Sequence, residues 1–224
     1  MRSAGPRPLL LGLVGAGLLA GSWSALKLPL LQQADVRAGD ALRESGSGAV
    51  EGVVIGTTDL GSLYAVGGAA SALAACGQRE AATDVAGLGL LGWCLSQWAK
   101  TRVRRVRPYD SEGTRRLLRR PTGSSFPSGH AAVATAVALV LAERTRPRGA
   151  GLALLGPYVA ATRVYAGVHC PSDVLGGVGM GCMLWAGWRG GIARGGRCAV
   201  TVAARLGLAS ARPLVRALSG LRLP

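Results

Sequence analysis

Two histidines occur in the chain, His130 and His169, and both stand among residues suited to handling a phosphate ester. Lys100 is followed after six residues by Arg107-Pro108, and Pro127-Ser128-Gly129-His130 comes next. Thr162-Arg163 is followed after five residues by His169 and, four further on, by Asp173. One of only two lysines, Lys27 and Lys100, belongs to the set as well. A phosphate monoester is a poor electrophile whose transition state gathers charge on the oxygens around phosphorus, so its catalysis is mostly positioning and electrostatic stabilisation. The inventory answers that need: cations to hold the anion, one imidazole to attack, one to protonate the leaving group. Arginine offers a planar fork and lysine a compact point charge. Lys100, Arg107 and Arg163 come from three separate parts of the chain, so they can surround an anion.

Each residue also has a plainer reading. Lys100 and Arg107 lie in a stretch rich in arginine and could be solvated or snorkelling cations at the end of an apolar run. Arg163 sits within an apolar run, where an unpaired charge is expensive and usually functional. Pro127-Ser128 is an ordinary helix-start signal. Together with Gly129, which lets a backbone come close to a ligand, it places free N–H groups and the positive end of a helix dipole where an anion could bind. His169 alone could be an interfacial histidine. Asp173, four residues on, is spaced to accept a proton from one ring nitrogen and leave the other free to attack, the orienting partner a nucleophilic histidine needs.

The elements that must carry these residues are apolar runs. The chain has 224 residues, 49% of them hydrophobic, and a mean hydropathy of +0.32. The apolar residues are clustered, with Glu51, Asp59, Asp84, Arg163 and Asp173 the charges inside the clusters or at their edges, and such clustering predicts membrane spans. Spans are expected over residues 9–26, 60–76, 81–99, 125–142, 150–166 and 174–188, joined early by a polar connector over 27–50. This is an all-α polytopic membrane bundle of about six transmembrane helices (residues 1–189) followed by a basic C-terminal tail (190–224). The 35 glycines suit helices packed closely in lipid. Cleavage of the first run as a signal peptide would need a small-residue site that does not follow it. Trp23, Trp98 and Trp188 fall at run ends, as interfacial anchors do. Arg115, Arg116, Arg119 and Arg120 would line adjacent turns if that segment were helical, offering a face to anionic headgroups.

The net charge of +15 would point to nucleic acid in a soluble protein. Here the arginines fall between and after apolar runs, as juxtamembrane charges do, so no nucleic-acid partner is expected. The five cysteines, Cys76, Cys94, Cys170, Cys182 and Cys198, show neither zinc spacing nor a disulfide framework. With six spans, both termini share one side and the three motif segments share the other. Basic residues nearly balance across the two sides. The short connectors bearing Arg79 and Arg144, Arg146 and Arg148 favour cytoplasmic termini and an extracytoplasmic site in the plasma membrane.

K-x6-R-P, P-S-G-H and T-R-x5-H-x3-D, in this order, resemble the motifs of the type 2 phosphatidic acid phosphatase (PAP2) superfamily, whose soluble relatives include vanadate-dependent haloperoxidases. The resemblance covers about a third of the chain, Lys100 to Asp173. It implies a metal-independent lipid phosphatase without cofactor, acting on a polyprenyl phosphate or diphosphate, phosphatidic acid or a similar lipid. It implies that His169 forms a phosphohistidine oriented by Asp173, that His130 protonates the leaving oxygen, and that Lys100, Arg107, Ser128, Gly129 and Arg163 bind the phosphoryl oxygens. Thr162 stands where the family usually has serine and keeps the hydroxyl. Arginine in place of lysine, with many Ala and Gly, points to a high-GC bacterium, where small members of the family often recycle carrier lipids. Three other readings stay open: a facial triad for iron, which three cations would oppose; a vanadate haloperoxidase, whose relatives are larger and soluble; and a non-enzymatic lipid-binding or transport protein.

Overall fold

Pro6, with φ preset and no N–H to satisfy, opens the first helix, α1 (Pro6–Ala25). The computed structural model describes residues 6–44, 46–111, 114–145 and 149–192. Among these every regular element is helical and there is no strand. After α1 come α2 (Pro29–Glu44), α3 (Gly48–Thr57), a 3-10 turn (Thr58–Gly61), α4 (Leu63–Ala75), α5 (Arg79–Val103) and the short α6 (Pro108–Ser111). Then follow α7 (Gly129–Arg144), a 3-10 turn (Ala150–Leu154), α8 (Leu155–Tyr165), α9 (Pro171–Gly187) and a π-helical turn (Trp188–Ile192). One helix is long and apolar enough to cross a membrane by itself, at Arg7–Ala25, and Leu63–Ala75 is a shorter apolar helix.

α7 is the central element, packed against α5, α8 and α9. Its small residues Ala131, Ala132, Val133, Ala134, Ala136 and Ala138 are all buried. One core gathers Val66, Val85, Leu88, Val133, Val137, Val140, Trp185 and Trp188 between α4, α5, α7 and α9. Close approach replaces bulk where α9 meets its neighbours: a methyl group added at Gly181 would lie 2.6 Å from the Ala132 carbonyl oxygen of α7. On the other flank of α9, α1 lies so near that a methyl at Gly15 would sit 2.6 Å from the Gly179 oxygen, and one at Gly179 2.5 Å from the Gly15 oxygen. Backbone-to-backbone packing of this kind gives apolar helices their dispersion energy.

Several expectations change in detail. The 27–50 connector is largely helical, as α2 and the start of α3. Leu30 and Leu31 of α2 face outward while Gly39 is buried. The fifth run is broken into the turn Ala150–Leu154 and α8. Trp23 and Trp98 are exposed, but Trp188 is no interfacial anchor: it is 3% exposed, and its indole N–H donates to Asp84 Oδ1 at 2.9 Å. Asp84 also accepts from Arg144 Nη2 at 2.7 Å, so the buried carboxylate is paired, as burial of a charge requires. The Arg115–Arg120 stretch is irregular rather than helical. There Arg115 pairs with Glu51 and Arg120 with Asp110, while Arg116 and Arg120 lie over the Tyr109 ring. Cys76, Cys94, Cys170 and Cys182 are free thiols. Cys198 and most of the basic tail over 190–224 lie outside the described residues.

Candidate active site

Helix direction alternates along the bundle, so the end of α5, the start of α7, the end of α8 and the start of α9 converge. Lys100 lies in the last turn of α5. Arg107 and Arg163 stand close to its ammonium. Arg107 follows in the loop, 3% exposed. Its fork donates to the carbonyls of Val168 (2.8 Å), Gly123 (3.2 Å), Ser124 (3.3 Å) and Thr122 (3.4 Å), and Nη1 comes to 3.5 Å from His169 Nε2. Arg107 therefore ties two loops together beside the histidine. Arg163 is 4% exposed near the end of α8, and Nη1 donates to Thr58 Oγ1 at 3.1 Å. Its buried Nε has no partner among the described residues, a donor left for an acceptor that those residues do not supply.

Ser128 is the N-cap of α7, its hydroxyl accepting from the Ala131 amide at 3.5 Å. Its own amide donates to the Asp173 carbonyl at 2.9 Å, which fastens the start of α7 to the start of α9. Gly129 is packed so tightly on α5 that a methyl there would meet Ser96 Oγ at 2.8 Å. The first amides of α7 have no acceptor within the helix, which suits an anion in front of them. His130 lies in this first turn.

His169 and Asp173 flank the N-cap of α9. Nδ1 of His169 is 3.5 Å from Asp173 Oδ2, a long contact rather than a formed hydrogen bond, and it has no other partner among the described residues. Such bonds often tighten only when substrate is bound. Burial is the largest influence on His169 and pushes the imidazole well below its usual range, with Arg107 and Arg163 acting the same way against Asp173. At neutral pH the ring is therefore unprotonated, as a nucleophile must be.

Asp173 is fully buried and heavily restrained. Oδ1 accepts from Arg105 Nη1 at 2.6 Å; Oδ2 accepts from the Cys170 amide at 2.8 Å and from the Ser125 hydroxyl. Arg105 is held in turn by Ser172 Oγ at 2.6 Å and by Asp35 Oδ2 at 2.7 Å, and Asp35 accepts from the Ser172 amide at 2.8 Å and hydroxyl at 2.5 Å. Although burial opposes charge on Arg105, Asp173 and Asp35 outweigh it and raise its pKa. Phe126, the only phenylalanine, packs against α9 at Gly176 and 6.0 Å from Trp23, pinning the loop that carries Ser125 and Ser128.

All eight residues singled out from the sequence thus occupy one region. Sequence reasoning missed Arg105, Asp35, Ser125 and Thr58. Arg105 hides in the six-residue spacer between Lys100 and Arg107, and nothing local marks Asp35 in its helix. Asp59 was visible as a charge at the mouth of an apolar run, without a role. A cavity of about 590 Å³ opens over Gln97, Lys100, Arg104, Arg107 and Ser124. A larger groove of about 930 Å³ lies across Arg105 from it, between α1, α2 and Val103–Val106. The convergence of cations marks the smaller one as the side nearer the chemistry.

The model of the PAP2 superfamily matches residues 81–193. Over 106 residues the chain is 39% identical to decaprenylphosphoryl-5-phosphoribose phosphatase of Mycobacterium tuberculosis, covering 46% of this chain and 56% of that protein. The chain spans about half the length of the curated relatives it matches. The crystal structure of a transmembrane PAP2-type phosphatidylglycerolphosphate phosphatase from Bacillus subtilis superposes with a TM-score of 0.58 at 24% identity, covering 80% of this chain and 92% of that one. LpxE of Aquifex aeolicus superposes with a TM-score of 0.58 at 25% identity, covering 67% and 92%.

Proposed function

Since the chain belongs to the PAP2 superfamily, we propose that it is an integral-membrane lipid phosphatase that hydrolyses a lipid phosphate monoester or diphosphate without a metal. The observation that carries this reading is the meeting of Lys100, Arg107 and Arg163 with two imidazoles, one of them backed by the buried Asp173. Nε2 of His169 attacks phosphorus while Asp173 holds the ring through Nδ1. The three cations, with Ser128 and Gly129 at the helix start, take the phosphoryl oxygens as charge develops. The P–O bond to the lipid breaks, and the leaving oxygen takes a proton from His130. Water then attacks the phosphohistidine, with His130 accepting its proton, and phosphate is released.

α1, α4, α5, α7, α8 with its preceding turn, and α9 serve as six spans in the plasma membrane. This topology gathers the substrate-handling ends on one face, the extracytoplasmic one, and leaves the Arg144–Asp84 pair on the cytoplasmic side with the termini. The substrate lies with its headgroup at that outer face. A prenyl carrier bearing a phosphorylated sugar, as the name of the mycobacterial relative describes, is one member of the class.

The test is phosphate release by purified protein in detergent from a panel of lipid phosphates, with EDTA present. Turnover in EDTA and inhibition by vanadate are expected, because vanadate adopts the five-coordinate geometry of the transition state. Activity abolished by EDTA and restored by a divalent ion would overturn the scheme.

A further inference from the structure

His169 has a carboxylate behind it, and so does His130, from a part of the chain outside the segment that the family model matches. Asp59, in the turn Thr58–Gly61, brings Oδ1 to 3.3 Å from His130 Nε2 and to 3.9 Å from Arg163 Nη1. The turn is firmly seated. Thr58 is fully buried and accepts from Arg163 Nη1 and from Thr162 Oγ1, each at 3.1 Å. Gly61 lies against the His130 backbone so closely that a methyl there would collide with its carbonyl oxygen. The carboxylate is therefore delivered by a restrained turn even though its own side chain is largely exposed.

The two histidines need opposite protonation states. A nucleophile must be neutral, whereas a general acid must hold a proton at working pH. Of the charged groups facing His130, namely Lys100, Arg163 and Asp59, the Asp59 carboxylate is the one whose sign suits an imidazolium. Asp173 cannot do the same, since its oxygens are taken by Arg105, Ser125 and the Cys170 amide and it sits behind the other ring.

We propose that Asp59 is the positioning residue of the general acid: it holds Nε2–H of His130 and leaves Nδ1–H to be given to the leaving oxygen. As the P–O bond breaks, that proton passes to the departing alkoxide. The neutral ring keeps Nε2–H on Asp59 and regains a proton at Nδ1 from the water that hydrolyses the phosphohistidine. The inference rests on the lipid-phosphatase reading and on His130 as acid.

The experiment compares the full chain in detergent with Asp59→Asn, Asp59→Glu, His130→Ala and the Asp59→Asn/His130→Ala double variant, on dodecyl phosphate and p-nitrophenyl phosphate across pH. An exposed carboxylate neighbour is worth about one pKa unit, the low end of the usual range. Asp59→Asn should therefore lower kcat on dodecyl phosphate about tenfold at neutral pH, with the alkaline limb of the profile moved to lower pH. On p-nitrophenyl phosphate, whose leaving group needs no proton, the loss should stay within about twofold. KM should change little, Asp59→Glu should recover part of the loss, and Asp59→Asn should add nothing in the His130→Ala background. Equal losses on both substrates would make Asp59 a structural residue and overturn the proposal. A lower KM with unchanged leaving-group dependence would make it a mere stand-in for phosphate beside Arg163, and would overturn it too. If His130→Ala itself lacks leaving-group dependence, the parent assignment fails and takes this one with it; if only Asp59→Asn lacks it, this proposal alone is wrong.

Discussion

Replacing Arg105 by methionine removes the clamp behind the nucleophile while keeping most of the side-chain volume. Arg105 Nη1 donates to Asp173 Oδ1 and to Ser172 Oγ, each at 2.6 Å, and Nη2 donates to Asp35 Oδ2 at 2.7 Å. Its side chain is 13% exposed, against 0% for Asp173 and 9% for Asp35. Breaking a buried ion pair from one side costs about 3–5 kcal/mol, because it strands the other charge. Ser125 and the Cys170 amide still bind Asp173 Oδ2, and Ser172 still binds Asp35, so the lower end, about 3 kcal/mol of folding stability, is expected. A single hydrogen bond to a charged group is worth about 1.5–3 kcal/mol. If that much is lost from the positioning of Asp173 in the transition state, kcat falls about 10- to 100-fold, with KM within about threefold since no phosphoryl ligand is removed. Thermal unfolding in detergent and steady-state kinetics on one lipid phosphate measure the two quantities. Asp35→Asn keeps an acceptor oxygen and should cost less on both counts. The double variant should show a coupling of about 0.5–3 kcal/mol, as groups in one network do. A variant that unfolds at the wild-type temperature and turns over within threefold of wild type would refute the clamp.

Other outcomes follow from the same geometry. His169→Ala should lower kcat by at least about 10³-fold, yet the protein should keep its helical circular dichroism, since the deleted ring has no formed hydrogen bond at Nδ1. With the native cysteines replaced, a cysteine at Arg119, which is exposed, should react with an impermeant thiol reagent in intact cells. One at Ala150, also exposed, should react only after the membrane is opened; the reverse pattern would put the site in the cytoplasm.

The residues legible in the sequence were those whose chemistry is unusual for their surroundings: two lone histidines, a rare lysine, an arginine inside an apolar run. The helix start at Ser128 was legible too, because caps act locally. What stayed hidden depends on long-range pairing. Asp35 lies 70 residues from Arg105 and 137 from Ser172, and no period or spacing encodes such a partner. Asp59 could be seen as a costly charge, but its use depends on a turn pressed against α7. Trp188 misled because an aromatic at the end of an apolar run has the same sequence signature whether it meets lipid or a buried Asp84. Four spaced arginines have the signature of a helical face, yet in the irregular segment Arg115, Arg116 and Arg120 find Glu51, Tyr109 and Asp110 instead.

The glycine contact between α1 and α9 bears on how the protein is made. α1 leaves the ribosome before α9, which supplies its partner surface and carries Asp173. Until α9 is made, Gly15 has no backbone of that helix to meet. A bulky residue at Gly15 should therefore lower the yield of inserted protein before it affects the turnover of those molecules that do assemble.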